Sequence, residues 1–98
     1  MAVMSFLPEL RDFLKANGSI YTVRKYKMVE KDVEVEGVGL CHRIPIGTIS
    51  SKEHLQSYVT LSGFPTVEEW WVKILQFIPR ELDTKYLYKV EKGNRSGT

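Results

Sequence analysis

Tyr21-Thr22-Val23-Arg24-Lys25-Tyr26-Lys27 is the stretch on which the reading of this chain turns. Tyr, Thr and Val are strand formers, so a strand is predicted over residues 20–28. Side chains alternate across a strand, which puts Thr22, Arg24 and Tyr26 on one face. Tyr21, Val23, Lys25 and Lys27 take the other. Neither face is purely apolar. A core strand does not ordinarily align a hydroxyl, a guanidinium and a phenol. Two readings are open. One is a polar pocket that grips an anionic or planar ligand. The other is a half-exposed strand whose Arg24 pairs with Glu30, Glu34 or Glu36 on a neighbour, since exposed Arg and Lys are ordinary.

Upstream, residues 8–17 read as a short helix. Pro8 suits its first position and Gly18 the position past its end. Leu7, Leu10, Phe13 and Leu14 fall on one side of it. Downstream, Met28 to Glu36 alternates valines with charges, as a strand with one wet face does. Gly37 and Gly39 around Val38 predict a bulge or sharp bend. Leu40 to Ile49 continues as strand, with Pro45 marking an edge or a break. Ser50 and Glu53 have the spacing of a capping box before a short helix with Leu55, Tyr58 and Val59 inward.

Thr66 and Glu69 repeat that spacing before the clearest helix in the chain. Val67, Trp70, Trp71, Ile74, Leu75 and Ile78 keep its apolar period, and Pro79 stops it. Both tryptophans are therefore expected in the core, with Val72 and Phe77 off the inward face. Residues 84–91 form a last strand, and residues 93–98 read as a disordered tail.

The chain has 98 residues, 43% of them hydrophobic, which suits one small domain over residues 1–92. The net charge is only +2, so any nucleic-acid argument rests on where charge sits. The single cysteine, Cys41, excludes an intramolecular disulfide and fits a reducing cytoplasm. With His42 and His54 it offers no metal-site spacing, so neither metal nor cofactor is expected. The start lacks the basic region of a signal peptide, and no stretch approaches the roughly 20 apolar residues of a membrane span. The expectation is a cytoplasmic monomer. The order of elements predicts an α+β domain: a small curved sheet or barrel of about five to six strands with two to three flanking helices.

Two segments carry a resemblance. Tyr21-Thr22-Val23-Arg24 resembles the early Thr-x-Arg strand of the ASCH family, within the PUA-like superfamily. Ser62-Gly63-Phe64-Pro65-Thr66-Val67-Glu68-Glu69-Trp70 resembles that family's Gly-Phe element and helix start. The closing strand from Lys85 to Glu91 sits where such domains end, so the resemblance covers about residues 8 to 92. It implies a PUA-like β-barrel with a cleft beside its mouth, and RNA binding or modified-nucleoside chemistry. Some bacterial members hydrolyse N4-acetylcytidine with a Lys, a Thr and a Glu. Thr22 matches that Thr. Ser19 stands at the Lys position and Ser62 at the Glu position. A serine replaces neither a cation nor a carboxylate base, so the resemblance leans away from hydrolysis here.

The expected function is thus RNA or nucleotide binding in a polar cleft. Thr22 and Arg24 would lie inside it, with Ser19 and Ser62 at its wall and Tyr26 stacking on a base. His42 and Arg43 would stand at the barrel rim. Lys25 and Lys27 would join Lys85 and Lys89 in a basic stripe if the first and last strands are neighbours. The alternatives are a hydrolase of the same family, acting on a modified nucleoside or RNA, and a protein-interaction module using Val72 and Phe77.

Overall fold

The computed structural model describes residues 2–80 and 83–93. They form strand β1 (Ala2–Met4), helix α1 (Pro8–Asn17) and strands β2 (Ser19–Arg24), β3 (Lys31–Val35) and β4 (Gly39–Ile49). Two short 3-10 segments follow, Lys52–Leu55 and Val59–Leu61. Helix α2 (Val67–Phe77) and strand β5 (Lys85–Lys92) complete the domain.

Local signals account for both helices. Pro8 opens α1, and Gly18 closes it at φ 82°, donating its N–H to the Leu14 carbonyl at 2.9 Å. Thr66 caps α2, its hydroxyl accepting the Glu69 N–H at 3.2 Å. Val67, Trp70, Trp71 and Ile74 are buried along one face of α2. Each such side chain contributes about 1.5–3 kcal/mol of burial. Ser50 does not cap the next segment. Ser51 occupies the cap position of a single 3-10 turn, without a side-chain cap bond.

The domain is α+β, but the expected barrel is not formed. The five strands run in the order β1-β3-β4-β5-β2, so β1 and β2 are open edges. The β1–β3 pair is parallel and the other pairs are antiparallel. A barrel needs its two edges to meet. Here β1 is three residues long and bonds only to β3. The first long strand does neighbour the last, with Ser19 opposite Glu91 and Arg24 opposite Tyr86.

The helices cover opposite faces. Leu14 of α1 packs with Met4, Ile20, Val33, Val35, Cys41 and Val90. On the other side α2 packs with Ile49, Leu55 and Leu87, joined by half-buried Tyr21 and Val23. Alternation along β2 thus feeds two cores, Ile20 to one and Tyr21 and Val23 to the other.

Other strand limits differ from expectation. β2 stops at Arg24, because the chain bends at Lys25 and Tyr26 to begin the connection to β3. β3 is shorter than residues 28–36, since residues 28–30 belong to that connection. Pro45 sits at a register shift beyond Arg43, where β4 has only β5 beside it, so its missing N–H costs no bond to β3. Residues 94–98 of the expected tail lie outside the described residues. No described helix is long and apolar enough to cross a membrane.

The turn before α2 docks on α1 through Gly63. Its φ is +85°, and an added Cβ would stand 2.6 Å from Leu10 Cδ2 and 3.6 Å from Phe13 Cγ. Gly63→Ala combines a left-handed backbone with a crowded contact, and it is expected to cost about 1–3 kcal/mol. Urea denaturation checks this. An unchanged midpoint would mean that Leu10 and the turn do not need this close approach.

Candidate functional site

A cleft of about 420 Å³ runs along the free edge of β2, between the start of α1 and helix α2. Thr22, Val23, Arg24 and Lys25 come from β2 and its end, Ser5 and Phe6 from the segment before α1, and Phe64, Lys73 and Phe77 from α2 and its approach. An edge strand exposes the rim of both its faces, which is why Thr22 and Val23 both reach the cleft.

Arg24 is the best-defined group there. Its Nε donates to Thr22 Oγ1 at 3.2 Å, and its Nη2 donates to the Ser5 carbonyl at 3.1 Å. The guanidinium lies over the Phe6 ring, 4.8 Å from its centroid. Among the described residues it forms no salt bridge, so pairing with Glu30, Glu34 or Glu36 is not what holds it. Burial, and behind it the charge of Arg43, pushes the Arg24 guanidinium below its ordinary value. The group stays cationic and, among the described residues, has no anion within salt-bridge distance.

Lys25 and Lys73 add two more cations, and no Asp, Glu or His is among the described residues lining the cleft. Lys73 donates to Gln76 Oε1 at 3.2 Å. Glu9 borders an adjoining hollow that shares Leu10, Phe64 and Lys73. Phe77 is 65% exposed and so presents its ring at the cleft margin.

The other expected site residues lie elsewhere. Ser19 begins β2, roughly 16 Å along the strand from Arg24. Ser62 is 1% exposed, and its hydroxyl is committed. It donates to the Val59 carbonyl at 2.7 Å and accepts the Phe64 N–H at 3.0 Å, bracing the turn. Tyr26 leaves the strand face of Thr22 and is exposed, with Lys25 Nζ 5.6 Å from its ring centroid. Lys27 is exposed on the same connection, outside the cleft.

Arg43 is not at a rim. It is 5% exposed, with Nε and Nη2 donating to the Val29 carbonyl and Nη1 directed at Met28 Sδ. It anchors the β2–β3 connection, as Tyr88 does by donating to the Tyr26 carbonyl at 2.9 Å. The basic stripe does not form either. Lys85 is fully buried, donating to the Arg80 and Asp83 carbonyls beside the Trp71 ring. Lys89 pairs with Glu91 at 3.3 Å. Both tryptophans are core, as their helical period indicates. Burial pushes the Cys41 thiol up, which suits an inert core residue.

Phe6, Ser5 and Lys73 were not among the expected site residues. Lys73 had one available signal, as the only cation within α2. Nothing local marks Phe6 or Ser5, whose role comes from the fold bringing them to Arg24.

Comparison with known proteins gives no relative: no family model, no curated protein and no solved structure matches this chain.

His42 lies on the opposite face of the sheet from Arg24. Its Nδ1–H donates to Asp32 at 2.6 Å and its Nε2–H to Glu30 at 2.8 Å. Both nitrogens donate only in the imidazolium. The bonds to Glu30 and Asp32 push its pKa above the ordinary 6.5. Glu91 stands opposite it on β5. A raised folded value means that this contribution to stability is full below about pH 6.5 and is lost as pH rises through the folded value. The stability of His42→Gln should therefore fall less than that of wild type over that rise. Urea midpoints at several pH values check this, and parallel curves would overturn it.

Proposed function

We propose that this domain binds RNA or a nucleotide in the cleft along the β2 edge. The observation that supports it is the combination in one cleft of Arg24, Lys25 and Lys73, no acidic lining residue among those described, and the rings of Phe6, Phe64 and Phe77. Cations hold phosphate oxygens, and a guanidinium fixed in orientation does so with defined geometry. Aromatic faces take a base by stacking, which tolerates any base. The reading agrees with the likeness of residues 21–24 and 62–70 to ASCH domains, but it does not need a closed barrel.

Binding is favoured over hydrolysis by the same geometry. Thr22 Oγ1 already accepts a bond from Arg24. Among the described residues, no carboxylate or imidazole lines the cleft to take its proton.

Titration of a short single-stranded RNA at low and moderate salt tests the proposal. Three phosphate contacts predict a slope of about −2 for log K against log salt, which Lys73→Gln should make shallower by about 0.7. Arg24→Ala should weaken binding at every salt concentration. Negligible or equal binding by wild type and Arg24→Ala would overturn the proposal.

A further inference from the structure

The amount of charge and the amount of room in the cleft both bear on which nucleotide chemistry fits. A phosphodiester inside a strand carries one negative charge. A terminal phosphomonoester carries about 1.5–2 at pH 7 and offers three acceptor oxygens. Arg24, Lys25 and Lys73 line the cleft, and among the described residues the carboxylate of Glu9 borders the adjoining hollow rather than the cleft itself. They are matched to the more highly charged group. A continuous strand would spread its single charges along a groove, whereas these cations share one cleft.

The donors are also suited to a phosphate end. Nε and Nη2 of Arg24 are fixed by Thr22 and Ser5, and the ring of Phe6 supports the guanidinium plane. Nη1 has no acceptor among the described residues, so it is the nitrogen left for a ligand. A volume of about 420 Å³ lies toward the small end of the roughly 300–1,000 Å³ of ligand pockets. That is room for one nucleotide and not for several.

Resting on the nucleotide-binding reading above, we infer that the cleft selects a terminal phosphomonoester beside a single base, as in a free nucleoside monophosphate or the phosphorylated end of a strand. The phosphate lies between Arg24, Lys25 and Lys73, and the base lies against the phenylalanine rings. Internal phosphodiesters contribute only non-selective attraction.

The test uses two RNA hexamers of one sequence, one with a 5′-phosphate and one with a 5′-hydroxyl, together with CMP and cytidine. The phosphorylated hexamer, CMP, or both should bind about tenfold or more tightly than the unphosphorylated counterpart, the worth of one added charge-assisted contact. A preference in the hexamers points to a strand end, and one confined to CMP to a free nucleotide. Lys73→Gln, at a half-buried position of α2 outside both hydrophobic cores, should abolish the preference without unfolding the domain. Lys31→Gln, an exposed cation of β3 outside the cleft, should retain it. Equal binding with and without the phosphate in both pairs would overturn this inference and leave RNA binding standing. Equal loss of preference in Lys31→Gln would overturn the site assignment. No binding by any of the four probes would remove both readings.

Discussion

The register that sets Ser19 against Glu91 and Arg24 against Tyr86 governs the rest of this domain. It pairs the strand that directly follows α1 with the last strand of the chain. β5 already has β4 on its other side, so β2 takes the end of the sheet and keeps one edge free. Helices α1 and α2 must then cover opposite faces, because the side chains of β2 alternate between two cores. The helices approach each other past that free edge, where Gly63 lets the turn before α2 come close to Leu10. The cleft is the space that this arrangement leaves.

The same topology separates the charges. On the His42 face, Glu30 and Asp32 are engaged by the imidazole and Glu91 by Lys89. On the other face lie Arg24 and Arg43, neither in a salt bridge among the described residues. They meet the cost of burial differently. Arg43 spends its donors on the Val29 carbonyl and Met28 sulfur, and so becomes a structural anchor. Arg24 spends two donors on Thr22 and Ser5 and remains at the cleft. A buried cation without an anion is costly unless its hydrogen bonds are satisfied. That condition makes Arg43 a finished interaction and Arg24 an open one.

Features written locally were legible in the sequence. Pro8 with Gly18, and Thr66 with the Val67–Ile78 period, bound the two helices because caps and stripes are short-range signals. The Thr22–Arg24 pair was legible for a similar reason, since alternation alone sets two residues on one face. The barrel was not, because closure depends on whether distant edges meet. β1 was missed because Ala2–Met4 has no pattern of its own and exists only beside β3. Ser62 looked like a site residue by resemblance, but its neighbours Val59 and Phe64 consume its hydroxyl. Lys73 and Phe6 reach the site from elements more than fifteen residues away from Arg24 in sequence, and no spacing rule reports that.

The end of β2 shows how far a single local break reshapes the site. Had the strand continued to residue 28, strict alternation would have kept Tyr26 beside Arg24 on the Thr22 face. The bend at Lys25 and Tyr26 cancels that alternation. Lys25 lines the cleft with Arg24, and Tyr26 moves out into solvent. The bend is held by Tyr88, whose hydroxyl accepts the Met28 N–H and donates to the Tyr26 carbonyl. A buried tyrosine on the last strand thus helps decide which side chains the second strand presents at the cleft. The bend takes the Tyr26 phenol away from Arg24, so the phenylalanine rings at the cleft are those of Phe6, Phe64 and Phe77, brought there by other elements of the fold.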